Sequence, residues 1–118
     1  MVLEKEIKRY SKLNGFPISE FNPFVCSCGH KEFELFSDDD EGGAYVVCSS
    51  CGLDQDLENS RRYIENNQQN VCNCDNADLN IGIGKAFHSN SNDVSWVYVG
   101  AHCNKCDLSG VYVDWKQN

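Results

Sequence analysis

The residues of this chain best suited to chemistry are its eight cysteines, which fall in four close pairs: Cys26 with Cys28, Cys48 with Cys51, Cys72 with Cys74, and Cys103 with Cys106. Four thiolates around Zn²⁺, at Zn–S distances near ~2.3 Å, need sulfurs about 3.8 Å apart, so two ligands from one short segment must point the same way. A C-x-x-C turn achieves this by wrapping the chain around the ion. A C-x-C pair can achieve it at a strand end, where residues i and i+2 project from one face. In a secreted chain eight cysteines would read as four disulfides, whereas in a reducing compartment the paired spacing points to metal. The economical grouping sets Cys26, Cys28, Cys48 and Cys51 around one ion and Cys72, Cys74, Cys103 and Cys106 around a second. An interleaved grouping of first and second pairs stays open. Four thiolates leave no coordination position for water or substrate, so both sites are expected to be structural.

The elements that would carry these pairs occur twice. Opening pairs lie 46 residues apart and closing pairs 55, and "AYVVCSSCGLDQ" around the first closing pair matches "YVGAHCNKCDLSG" around the second. An internal duplication explains this better than two chance clusters. In the first copy, Phe33 and Leu35 alternate with Glu32 and Glu34, and "AYVVC" follows a Gly-Gly turn, which predicts an antiparallel hairpin. In the second, "LNIGIG", the polar loop "HSNSND" and "VSWVYVGAHC" predict a longer one. "SGVYVDWK" predicts a third strand with Val111, Val113 and Trp115 on one face, where the first copy is polar.

Duplicated knuckles at the ends of hairpins resemble the zinc ribbon, a small β-rich family in which two cysteine knuckles grip one zinc. The resemblance rests on "CSSCG" and "CNKCD" for the closing knuckles and covers residues 23 to 116 in tandem; the shorter C-x-C opening pairs depart from it. It implies two antiparallel β units, each folding around its own Zn²⁺, and a first expectation of nucleic-acid binding or a place in a transcription or translation assembly.

Flanking segments are read more simply. Leu3, Ile7, Tyr10 and Leu13 form one helical stripe stopped by Gly15 and Pro17, predicting a short amphipathic N-terminal helix. Residues 59–70, with Asn59 or Ser60 as N-cap and Tyr63 and Ile64 as the apolar contacts, predict a second short helix in a polar linker. The expected organisation is therefore 1–22 helix and connector, 23–58 first ribbon-like unit, 59–70 helical linker, and 71–118 second unit. His30 and His102, beside the cysteines, and His88 are expected to be surface residues or donors to a ligand rather than ligands.

Composition narrows function. The net charge is −8, and residues 23–58 hold nine carboxylates against one lysine. A phosphate backbone is bound by clustered Lys and Arg, and here the longest basic run is Arg61-Arg62, which argues against direct nucleic-acid contact. Tyr98, Tyr112 and Trp115 could stack bases, but strand aromatics in a small fold are expected in the core. No metalloprotease, deaminase, serine-elbow or P-loop pattern occurs, and "GIGK" lacks the P-loop spacing, so no enzyme activity is expected. What remains is a non-catalytic module binding a basic protein through acidic residues, foremost Asp38, Asp39, Asp40 and Glu41, with Glu32, Glu34, Asp54, Asp56 and Glu58 nearby. Acidic immunity proteins that neutralise toxin nucleases are similar in size and charge. With no apolar run of signal-peptide length and no membrane-span stretch, the expected location is the cytoplasm.

Overall fold

Period-two alternation of apolar and polar residues dominates the chain, and a computed structural model, which describes residues 2–117, turns that alternation into one sheet. In chain order the elements are helix α1 (Val2–Leu13), strands β1 (Glu20–Pro23), β2 (Glu32–Asp38), β3 (Gly43–Cys48) and β4 (Asp54–Asp56), a 3₁₀ turn (Arg61–Tyr63), and strands β5 (Gln68–Asn70), β6 (Leu79–Phe87), β7 (Val94–His102) and β8 (Ser109–Lys116). The main strand order is β4-β3-β2-β6-β7-β8, with β1 added to β6 and β5 to β2. Among the described residues, no helix is long and apolar enough to cross a membrane.

Each half is an antiparallel three-stranded unit: β2-β3-β4 and β6-β7-β8. They join where β2 meets β6 through the pairs Phe33 with Leu79 and Glu32 with Asn80. Phe33 and Leu79 are 46 residues apart, so they are the same position in the two copies. An antiparallel pair of equivalent residues is the signature of a local two-fold axis, the geometry of an isologous dimer. Side chains repeat the symmetry. Ser49 Oγ donates to Asp78 Oδ1 at 2.7 Å, and its counterpart Asn104 Nδ2 donates to Glu32 Oε2 at 3.0 Å. Glu32 and Asp78 are again 46 apart, and Ser49 and Asn104 are 55 apart.

One core serves both halves. Phe33, Leu35, Ala44 and Val46 from the first face Leu79, Ile81, Ile83, Val97, Val99, Val113 and Trp115 from the second, all buried. The sheet curls enough to bring Gly42 of the β2–β3 turn against Trp115, where a Cβ would lie 2.7 Å from the Trp115 Cβ. The opposite face of β6-β7-β8 is covered by α1. Leu3 and Ile7 pack with Tyr98 in a second buried cluster, and the helix can come this close because the strand residues beneath it are glycines. A Cβ on Gly84 or Gly100 would lie 2.7 Å from Ile7.

Four expectations are corrected. Residues 59–70 form no helix: three residues make a 3₁₀ turn and Gln68–Asn70 pair with β2. Ser60 starts the turn without a side-chain cap; its Oγ instead accepts the Ala44 N–H at 2.9 Å and donates to Leu57 O. On α1, Leu13 is 76% exposed and the buried position is Ser11, whose Oγ donates to Lys8 O and accepts the Ile18 N–H. Val111 does not share a face with Val113 and Trp115, because a β-bulge opposite Val99 and Gly100 reverses the alternation and turns Val111 toward α1. The first half also has a third strand, the polar β4, held by backbone pairing to β3 rather than by apolar burial.

Candidate metal centres

The knuckles are built from backbone hydrogen bonds that repeat between the halves. In the opening pairs, Cys26 N–H donates to His30 O and Cys72 N–H to Asn76 O, while Gly29 N–H returns to Cys26 O and Asp75 N–H to Cys72 O. In the closing pairs, Cys48 N–H donates to Leu53 O and Cys103 N–H to Leu108 O, with Gly52 N–H returning to Cys48 O and Asp107 N–H to Cys103 O. The returning residues all have positive φ: 90° at Gly29 and 77° at Gly52, 70° at Asp75 and 62° at Asp107. Gly and Asp are residue types that tolerate this region, so each knuckle can turn back on itself. The C-x-C pairs therefore sit in tight turns, and the strand-end placement expected for them is corrected.

These turns bring the cysteines together in the sequential grouping: Cys26, Cys28, Cys48 and Cys51 in one set, Cys72, Cys74, Cys103 and Cys106 in the other, each set with all sulfurs within 4.8 Å. Cross-hairpin Sγ separations are 3.6 Å for Cys26–Cys51 and for Cys28–Cys48, 3.3 Å for Cys72–Cys106 and 3.5 Å for Cys74–Cys103. These approach the ~3.8 Å edge of a four-sulfur zinc tetrahedron, and no cysteine is in a disulfide. Each set could hold one metal ion. Four sulfurs in this arrangement suit a soft or borderline tetrahedral ion, Zn²⁺ or iron, rather than Mg²⁺ or Ca²⁺. Burial alternates in both sets: Cys26, Cys48, Cys72 and Cys103 are buried, and Cys28, Cys51, Cys74 and Cys106 face outward.

Polar groups around Cys48 and Cys103 favour their thiolates. The N–H groups of Cys51 and Ser50 hold the Cys48 thiol down at about 6. In the second centre the Asn76 amide, 3.3 Å from Cys103 Sγ, and the Cys106 and Lys105 N–H groups bring Cys103 to about 6. Once one sulfur is ionised its neighbours resist a second charge. The His30 N–H favours the Cys28 thiolate, but Cys26, burial and Cys48 outweigh it and raise Cys28 to about 12; Cys72 foremost raises Cys106 to about 12. A divalent cation removes that conflict by stabilising all four thiolates together. Gln55 Nε2 lies 3.5 Å from Cys26 Sγ, so each centre receives one side-chain amide.

No histidine belongs to either set. His30 contributes its backbone, His88 is exposed, and His102 Nδ1 is 2.6 Å from Ser109 Oγ with Nε2 3.5 Å from Asp107 Oδ1. The acidic candidates separate into two kinds. Asp39, Asp40 and Glu41 are exposed at the hairpin tip, whereas Asp38 is only 4% exposed. Its carboxylate accepts four backbone N–H groups: Asp40 and Glu41 on Oδ1, Glu65 and Asn66 on Oδ2. Glu32, Glu34, Asp54 and Asp56 lie on the outer face of β2-β3-β4. Tyr98 and Trp115 are buried, and Tyr112 stands near the second set of sulfurs, whose charge, after burial, raises its hydroxyl pKa.

Cysteine spacing alone does not mark Asn76 or Gln55 as partners of the sulfurs. Aligning the halves places Asn76 opposite His30, which would have drawn attention to it; Gln55 lies in a short polar strand with no signal of its own. No protein-family model, curated protein or solved structure matches the chain.

Proposed function

We propose that the protein is a two-zinc binding module that acts by engaging a basic protein, without catalysis. The observation that carries this is the separation of roles in the first half. The cysteines and Asp38 are consumed in building the fold, Asp56 Oδ1 accepts the Ser60 and Arg61 N–H groups and Asp54 pairs with Arg61, while Asp39, Asp40 and Glu41 remain exposed at the hairpin tip, with one lysine among nine carboxylates in residues 23–58. Zinc loading would add to this charge, since four thiolates on one Zn²⁺ carry a net −2. Closed four-sulfur sets support a structural reading of the metals, because they leave no position for a substrate. A complementary cationic surface would be drawn to this half chiefly through faster association and better discrimination. The basic active-site face of a nuclease toxin is one surface of that class, and its capture would make the chain an immunity protein.

The test is capture by the zinc-loaded protein from lysate with its nucleic acids left intact, at low and at high salt, with both the protein and the nucleic acid retained being analysed. The expected result is a protein of basic isoelectric point, retained at low salt and released at high salt. Recovery of RNA or DNA in place of protein would favour a nucleic-acid-associated ribbon and overturn this reading.

A further inference from the structure

The two-fold relation between the halves exposes an asymmetry. On the second half, α1 lies across the face that presents Gly82 and Gly100, which are paired across β6 and β7. The equivalent residues of the first half are Phe36 and Tyr45, also paired across β2 and β3, and their rings stack at 5.0 Å and 9°. No helix covers this face among the described residues. The 3₁₀ segment covers its turn end, where a Cβ on Gly43 would lie 2.5 Å from Ser60 O. The remainder, running toward the first metal centre, presents Phe36, Tyr45 and Val47 half-buried, with Glu32, Glu34, Asp54 and Asp56 in register around them.

The chain itself shows what this surface accepts. The Arg61 guanidinium sits 4.0 Å from the centre of the Tyr45 ring, and its Nη1 is 3.1 Å from Asp54 Oδ2. Guanidinium between an aromatic face and a carboxylate is a favourable arrangement for a cation on a protein surface. Glu32, Glu34 and Asp56 carry no ion pair among the described residues: Glu32 accepts the Asn104 amide, Glu34 the Gln69 amide, and Asp56 Oδ1 the Ser60 and Arg61 N–H groups. The helix that covers the corresponding face of the second half is itself amphipathic and basic, with three lysines and an arginine against two glutamates.

We infer that the outer face of β2-β3-β4 is a docking surface for a basic amphipathic helix of a partner protein, seated on Phe36 and Val47 beside the Arg61-covered Tyr45, with its cations at Glu32 and Glu34 and along the Asp54–Asp56 edge. This rests on the reading that the partner is basic, and assigns the contact to the sheet face rather than to the Asp39–Glu41 tip.

The probe is a synthetic amphipathic helical peptide with leucines on one side and lysines and arginines on the other, titrated into the zinc-loaded full chain and followed by backbone amide NMR. A scrambled peptide of the same composition controls for charge alone. The inference expects saturable shifts at Glu34, Phe36, Tyr45 and Val47, with the amphipathic peptide binding roughly tenfold tighter than the scrambled one. Glu34→Lys should weaken it by about tenfold, and Glu34→Gln, which can still hydrogen bond Gln69, by a few-fold, while Asp39→Lys, Asp40→Lys and Glu41→Lys combined should have less effect than Glu34→Lys. The same spectra report whether each variant is folded. Shifts confined to residues 39–41, or equal binding of both peptides, would overturn the sheet-face assignment and leave the basic-partner reading standing. No saturable shift with either peptide would overturn both.

Discussion

At the scale of single residues, the two aspartate roles in "SDDDE" are the clearest lesson. Read as a string, Asp38 to Glu41 are four equal charges; in the fold, Asp38 is a buried pin that ties the β2–β3 turn to the segment after the 3₁₀ turn. The distinction depends on backbone N–H groups arriving from residues 65 and 66, which no local pattern announces. Those N–H groups hold the Asp38 carboxyl below its usual pKa, the Asn66 N–H most strongly. A depressed folded-state pKa stabilises the fold above the unfolded value of about 4, and that contribution is lost as pH falls through the folded value. Asp38→Ala should therefore lower Tm by several degrees at pH 7, with the difference from the parent shrinking in strong acid, as thermal scans across pH would show. Lysine at Asp39 or Asp40, both exposed, should leave Tm nearly unchanged. Among the cysteines, Cys51→Ser removes one outward-facing ligand; metal analysis should find one tightly held ion instead of two. Retention of both would place Cys51 outside the set.

At the scale of elements, what the sequence made legible is what periodicity and cysteine spacing control: α1, both hairpins, the third strand of the second half, and the four knuckles. What it concealed was decided by partners distant in the chain. β5 is the polar run Gln68-Gln69-Asn70, and it becomes a strand because β2 offers an edge and side-chain amides reach Glu34 and Ser37. Ser60 is a weak helix cap by type, yet its buried hydroxyl satisfies the Ala44 N–H. Ser60→Ala should cost about 1–3 kcal/mol by leaving that buried donor unpaired, measurable by denaturant unfolding. Docking of α1 can be tested at its glycine contacts. At Gly100 even a lone Cβ would lie 2.7 Å from Ile7. The branched side chain of Gly100→Val overpacks this contact, so it should destabilise by about 1–3 kcal/mol and weaken protection of α1 amides in hydrogen exchange. Unchanged exchange would mean that the helix moves aside at little cost.

At the scale of the whole molecule, the duplication visible in the cysteine spacing becomes a two-fold relation between halves that share one sheet and one core. The sequence carried the repeat but not the axis, because the β2–β6 contact involves only two residue pairs and has no motif of its own. A shared core supplies apolar burial that neither half of a 118-residue chain could provide alone. Even so, the metals should dominate stability. Structural zinc contributes on the order of 10–16 kcal/mol per site in small domains, as much as the ~5–15 kcal/mol net stability of a whole domain. The direct test is native mass spectrometry of the purified chain before and after denaturation, with far-UV circular dichroism on chelation. The account predicts two zinc ions released on unfolding, eight reduced cysteines, and loss of the sheet signal when metal is removed. A metal-free chain eight hydrogens lighter, holding four disulfides, would contradict it.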